Sequence, residues 1–81
     1  HVMRIRLAEV VTFLNKGAIL RELSRIPDGS FVTIDMSACI YVDRDVIEII
    51  EDFSTSAAER KLTLRAEGQQ ATQLRLATEV A

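Results

Sequence analysis

Several groups able to do chemistry gather in one stretch, D-M-S-A-C-I-Y-V-D-R-D, residues 35–45. It holds the carboxylates of Asp35, Asp43 and Asp45, the hydroxyl of Ser37, the phenol of Tyr41, the guanidinium of Arg44 and the only thiol, Cys39. Neighbouring carboxylates can share acid–base work. An arginine at a helix start can meet an anion. Each of these chemistries needs a companion group. The only histidine is His1, at the terminus, so no Ser/His/Asp or Cys/His set can form inside the fold. A single cysteine excludes an internal disulfide and a multi-cysteine metal site. Gly17, Gly29 and Gly68 are too scattered to cradle a phosphate. Asp43 reads as a helix cap rather than a general base. Asp43 and Asp45 also oppose an anion at Arg44. Cys39 lies in an apolar run and reads as a small core residue. No catalytic, metal or cofactor site is expected. By elimination the stretch belongs to a binding or regulatory module.

The elements that must position these residues follow from periodicity. Residues 31–36, F-V-T-I-D-M, read as a buried central strand with apolar groups on both faces. Residues 37–42 form a turn or short extended link. Asp35, two residues before Ser37, is expected to accept hydrogen bonds from backbone N–H groups and fix that turn. A helix opens at Asp43: its side chain can cap the first turn, Val42 and Ile47 have the spacing of a hydrophobic staple, and Asp45 suits the helix dipole. At 100° per residue, Val46, Ile47, Ile49, Ile50, Phe53 and Ala57 share one face. Asp45, Glu48, Glu51, Asp52 and Glu59 take the other, read as a solvated surface rather than a docking patch. This helix is expected over residues 44–60.

Upstream, Met3, Ile5 and Leu7 alternate with Val2, Arg4 and Arg6, which is strand periodicity. Asn15 is expected to cap a first helix whose apolar stripe is Ile19, Leu20, Leu23 and Ile26. Pro27-Asp28-Gly29 ends it. Residues 61–66 alternate again, with Leu62, Leu64 and Ala66 inward, giving a third strand. From Gln69 the chain has helix-forming composition but only a weak stripe (Leu74, Ala77), so residues 69–81 read as a short terminal helix or a tail. The order is β-α-β-α-β, which argues for an α/β domain with a small, mainly parallel sheet and right-handed crossovers. The 81 residues make one domain, 1–81. Its core is aliphatic, with three Phe, one Tyr and no Trp. The net charge of −2 gives no basic surface for nucleic acid. With no signal peptide and no apolar run of about 18 residues, the chain is expected to be soluble.

The segment D-M-S-A-C-I-Y-V-D-R-D-V, preceded by F-V-T-I and followed by an apolar helix, resembles the signature of the STAS domain, D-x-S-G-V-x-x-x-D-S-S-G. Asp35, Ser37 and Asp43 match, and Ala38 stands where a glycine is usual. V-M-R-I-R-L followed by V-T-F-L-N-K resembles the branch found in sulfate-permease-type (SulP) anion transporters. The likeness covers residues 2–67. It implies a STAS-like fold and a non-catalytic cytoplasmic domain of such a transporter, which moves sulfate or a related inorganic anion. The domain would support assembly or gating, and its partner would be the transmembrane part of the same protein, at the cytoplasmic side of the plasma membrane. Other cytoplasmic proteins are further partners that the family admits. In the other branch of the family, the anti-sigma-factor antagonists, a serine follows the second aspartate and is phosphorylated. Here Arg44 and Asp45 take those places, which removes that switch. STAS domains also begin with a further edge strand and end with a further helix and strand, which this chain does not resemble. An edge left exposed in this way invites pairing between two copies.

The interaction surface is therefore expected at Ser37, Tyr41, Asp43, Arg44 and Asp45, outside the carboxyl ends of the strands. The alternative is a free-standing anti-sigma-factor antagonist that binds a regulatory kinase. An enzyme or nucleotide binder has only generic support.

Overall fold

The computed structural model of the chain describes residues 1–76. Three strands, β1 (Val2–Arg6), β3 (Phe31–Asp35) and β5 (Thr63–Glu67), form a parallel sheet with β3 in the middle. Helices α1 (Lys16–Ser24) and α2 (Arg44–Ala57) make the two crossovers. They contact each other, so both lie on the same face of the sheet. The domain is an α/β fold with a small parallel sheet. Among the described residues, no helix is long and apolar enough to cross a membrane.

A second, two-residue parallel ladder joins β2 (Val10–Val11) to β4 (Tyr41–Val42). The element order is thus β-β-α-β-β-α-β rather than the expected β-α-β-α-β. β4 falls in residues 37–42, read as a turn or short extended link, and β2 in the short stretch between the first strand and the first helix, where no element is expected. Two residues are too few for a periodicity to register, so only the tertiary pairing reveals them.

Met3, Ile5, Val32, Ile34, Leu64 and Ala66 point from the sheet toward the helices. The core falls in two clusters. One, toward the carboxyl ends of the strands, centres on Ile34, Met36, Val46 and Ile47. The other, toward the amino ends, centres on Leu23, Val32 and Leu64. Ile5, Ile19 and Leu76 touch both. α2 buries Val46, Ile47, Ile50 and Ala57 almost completely, each of the larger side chains contributing about 1.5–3 kcal/mol through removal from water. The expected inner face of this helix is the observed one, with Ile49 and Phe53 half-buried at its margins.

Several expectations need correction. β3 is central but covered on one face only: Phe31 is exposed and Thr33 half-buried on the side away from the helices. Leu20 does not join the core and is 50 % exposed. Asn15 does not cap α1 with its side chain. Its Oδ1 instead accepts from Thr12 N–H at 2.8 Å, while Thr12 Oγ1 accepts from Leu14 N–H at 3.3 Å. Thr12 thus caps the short turn ahead of α1, and the Asn15 side chain reaches back to the Thr12 N–H. α1 ends at Ser24, before the Pro27 turn, and Ile26 is buried beyond it.

α2 ends as a helix at Ala57, three residues short of the expected end. The last turn tightens: Glu59 and Arg60 N–H donate to Ser56 and Ala57 carbonyls. Lys61 then takes a left-handed conformation (φ 58°). Leu62 N–H reaches back to Ala57 O, and Lys61 N–H to Ala58 O, the paired bonds of a Schellman closure. β5 starts after it, at Thr63. The segment Gln69–Gln73 is a 3-10 helix rather than an α-helix, and Leu74 beyond it is buried. Ala77 and the rest of the expected terminal helix lie outside the described residues.

Candidate functional site

The parallel register carries Arg6, Asp35 and Glu67 to the same level at the carboxyl ends of β1, β3 and β5, on the face without helices. Asp35 is buried there. Its Oδ1 accepts from Ser37 N–H at 3.0 Å and from the Ser37 hydroxyl at 2.5 Å. Its Oδ2 accepts from Arg4 Nη1 at 3.0 Å, with Arg6 Nε 3.6 Å away. The same Arg4 nitrogen donates to Glu67 Oε1 at 2.9 Å. The two Ser37 donors hold the Asp35 carboxyl down at about 2, from an ordinary 3.8, with Arg4 adding to the shift and burial opposing it. Glu67, then Asp35, push the Arg4 guanidinium up.

This arrangement fixes the chain and does not activate it. A carboxylate of such low basicity is a poor acceptor for the Ser37 proton, so Ser37 gains no nucleophilic character from its short bond. Burial, then the Asp35 charge, push the Cys39 thiol up. Its Sγ donates to the Ala8 carbonyl at 3.0 Å, which suits a packed thiol rather than a reactive one. Among the described residues, no three His, Cys, Asp or Glu side chains come together to hold a metal ion.

Residues 37–45 are tied on several sides. Ile40 and Tyr41 N–H groups both donate to Glu9 O, at 2.7 and 3.1 Å, and Asp43 N–H donates to Val11 O at 2.8 Å. Gln70 Nε2 donates to Ile40 O at 3.0 Å. Asp43 caps α2 as the spacing predicts, its Oδ1 accepting from Asp45 N–H at 2.9 Å. Val42 and Ile47 lie buried in one cluster, as a staple requires. Gly68 closes the far side, with its backbone against the Met36–Ser37 peptide.

The exposed surface of this corner includes three large apolar side chains. Val10 and Tyr41 are register partners, 54 % and 51 % exposed, and Ile40 beside Tyr41 is 69 % exposed. In the same segment Ser37, Arg44 and Asp45 are exposed, and Asp43 is half-buried. Arg44 Nε lies 3.9 Å from Glu48 Oε1, one turn along α2, an exposed pair of small energetic weight. The five expected site residues thus belong to one segment of chain, in two settings. Ser37 is bound into the Asp35 cluster, whereas Tyr41 to Asp45 run from the short ladder into α2. Sequence reasoning missed Arg4, Arg6 and Glu67 as partners of Asp35, and Val10 as the partner of Tyr41. The signal for the first set was present: charged residues stand at matching ends of three parallel strands. For Val10 there was none, since the two-residue ladder has no pattern.

No family model, no curated protein and no solved structure matches the chain.

Proposed function

We propose that this chain is a non-catalytic interaction module of STAS type, the cytoplasmic domain of a SulP-type inorganic-anion transporter, and that it docks through the corner formed by β4 and the start of α2. Support for the family comes from the resemblance of residues 35–43 to the STAS signature, in which Asp35 and Ser37 lock the turn after β3 and Asp43 caps the start of α2. The observation that carries the docking surface is the exposed trio Val10, Ile40 and Tyr41, held on a backbone tied to Glu9, Val11 and Gln70. Large apolar side chains on a rigid, solvent-facing corner are stabilised by covering them. In this reading the cover is the transmembrane part of the same transporter, and Arg44 in place of the phosphorylated serine makes the contact constitutive rather than switched.

The test is photo-crosslinking in cells from a benzophenone amino acid placed at Tyr41 of the full-length protein, with the same probe at Arg25 as a control. Crosslinks from position 41 into membrane-spanning segments of the same polypeptide are expected, and none from position 25. Should the complete reading frame hold no apolar segments of about 20 residues, the transporter assignment fails. Capture of a soluble kinase from position 41 would favour the antagonist reading instead.

A further inference from the structure

Among the described residues, β1 leaves one edge unpaired, and that edge borders an apolar cleft. Among these residues, β1 has a neighbour in the sheet on the β3 side alone. Phe31 N–H donates to His1 O at 2.9 Å and Leu7 N–H to Asp35 O at 3.0 Å. A parallel ladder uses alternate residues of a strand, so the main-chain groups of Val2, Arg4 and Arg6 turn to the outer edge. Beside them a cleft of about 190 Å³ opens between the end of β1 and α1, lined by Ile5, Leu7, Ala18 and Ile19, with Arg6 and Glu22 among its polar residues.

We propose that this edge takes an extended acidic segment of a partner protein as a fourth strand, with one apolar side chain of that segment seated in the cleft. The pattern follows from strand geometry. A residue of the added strand on the open face meets chiefly Arg6, 73 % exposed and 3.6 Å from Asp35, with Arg4 beside it already donating through Nη1 to Asp35 and Glu67. A residue on the helix side meets Ile5 and Ala18. Successive residues alternate between the two faces, so the complementary segment reads acidic–apolar–acidic. Main-chain bonds to the edge supply affinity and the alternate side chains supply selectivity. A second copy of this chain does not fit through its own β1. Antiparallel pairing about a two-fold axis sets Arg4 opposite Arg4 or Arg6 of the other copy, and like charges directly opposite are destabilising. The inference does not depend on the family reading above.

The test is a fluorescence-polarisation titration of a labelled, end-capped peptide Thr-Asp-Val-Asp-Leu-Asp-Thr with the chain, read alongside backbone amide NMR shifts. Saturable binding is expected, with shifts at Arg4, Arg6 and Ala18. It should weaken about tenfold in Arg6→Glu and as salt rises from about 50 to about 300 mM. Ala18→Trp, which fills the cleft from an exposed helix position, should abolish it, and far-UV circular dichroism checks that both variants fold. Equal binding of a peptide with lysine for aspartate would overturn the proposal. So would binding indifferent to Ala18→Trp, shifts confined to the Asp43 corner, or no saturation by about 1 mM peptide.

Discussion

Gly68 rests against the peptide that follows Met36: a β-carbon at position 68 would stand 2.6 Å from the Met36 carbonyl carbon and 2.7 Å from its oxygen. Its φ of 102° and ψ of 164° belong to a region open in practice only to glycine. The contact lets β5 end beside the turn at Ser37 and brings Gln70 under the Ile40 carbonyl.

Gly68→Ala should therefore destabilise the domain by more than about 2 kcal/mol, since backbone strain and steric overlap act together. Gly29 provides the comparison. It too has a positive φ, 79°, but nothing lies within 4 Å of an added β-carbon. Gly29→Ala should cost about 1 kcal/mol, the left-handed penalty alone. Urea unfolding of the two variants measures the difference, and equal losses would show that the close approach at Gly68 carries no weight.

Asp35 sets the acid limb of stability. Its folded pKa, about 2, lies below the ordinary 3.8, so its contribution is present above about pH 4 and is lost as pH falls toward 2. Because Ser37 is the main cause, Ser37→Ala should raise the Asp35 pKa measured by carboxyl-carbon NMR, and should move acid unfolding to higher pH. Arg4→Ala should move both in the same direction by less. A larger effect from Arg4 than from Ser37 would mean that the ion pair, not the turn, governs the carboxyl.

The strands and helices that carry the core were legible because each spans enough residues for a period to repeat. Alternation marks β1 and β5, and the broad apolar face marks α2. What stayed hidden depends on contacts between distant segments. Val10 and Tyr41 are too few to form a pattern with their neighbours, and only the ladder makes them a surface. The run F-V-T-I-D-M reads as buried on both sides because apolar residues sit at successive positions. Among the described residues the sheet nevertheless has helices on one face alone, and Phe31 is exposed. Asp35 as a lock on the Ser37 turn was readable, since an aspartate bonding two residues ahead is a local motif. Its ties to Arg4 and Glu67 required the register of three strands.

Lys61 occupies the left-handed position of the Schellman closure after α2, where glycine is usual. A side chain there costs about 1–2 kcal/mol of steric strain, partly offset by the greater unfolded freedom of glycine. Lys61→Gly should thus stabilise the domain by about 1 kcal/mol, raising the urea midpoint without changing the slope. A destabilised variant would show that the lysine stem contributes packing or charge that outweighs its backbone strain.

Ile47 and Leu20 both belong to apolar helix stripes, yet the fold treats them oppositely. Ile47 is fully buried against Ile34, Met36 and Val42, whereas Leu20 is half exposed. Ile47→Ala should cost about 2–5 kcal/mol through lost burial and a residual cavity. Domains of this kind are held by only about 5–15 kcal/mol, so the variant should melt at much lower temperature or fail to fold. Leu20→Ala should stay within about 0.5 kcal/mol of the parent. If Leu20→Ala proved as damaging as Ile47→Ala, the face of α1 that bears Leu20 would have to be covered in solution, by another copy or by residues beyond those described. Concentration-dependent melting would separate those two causes, because only self-association makes the midpoint rise with protein concentration.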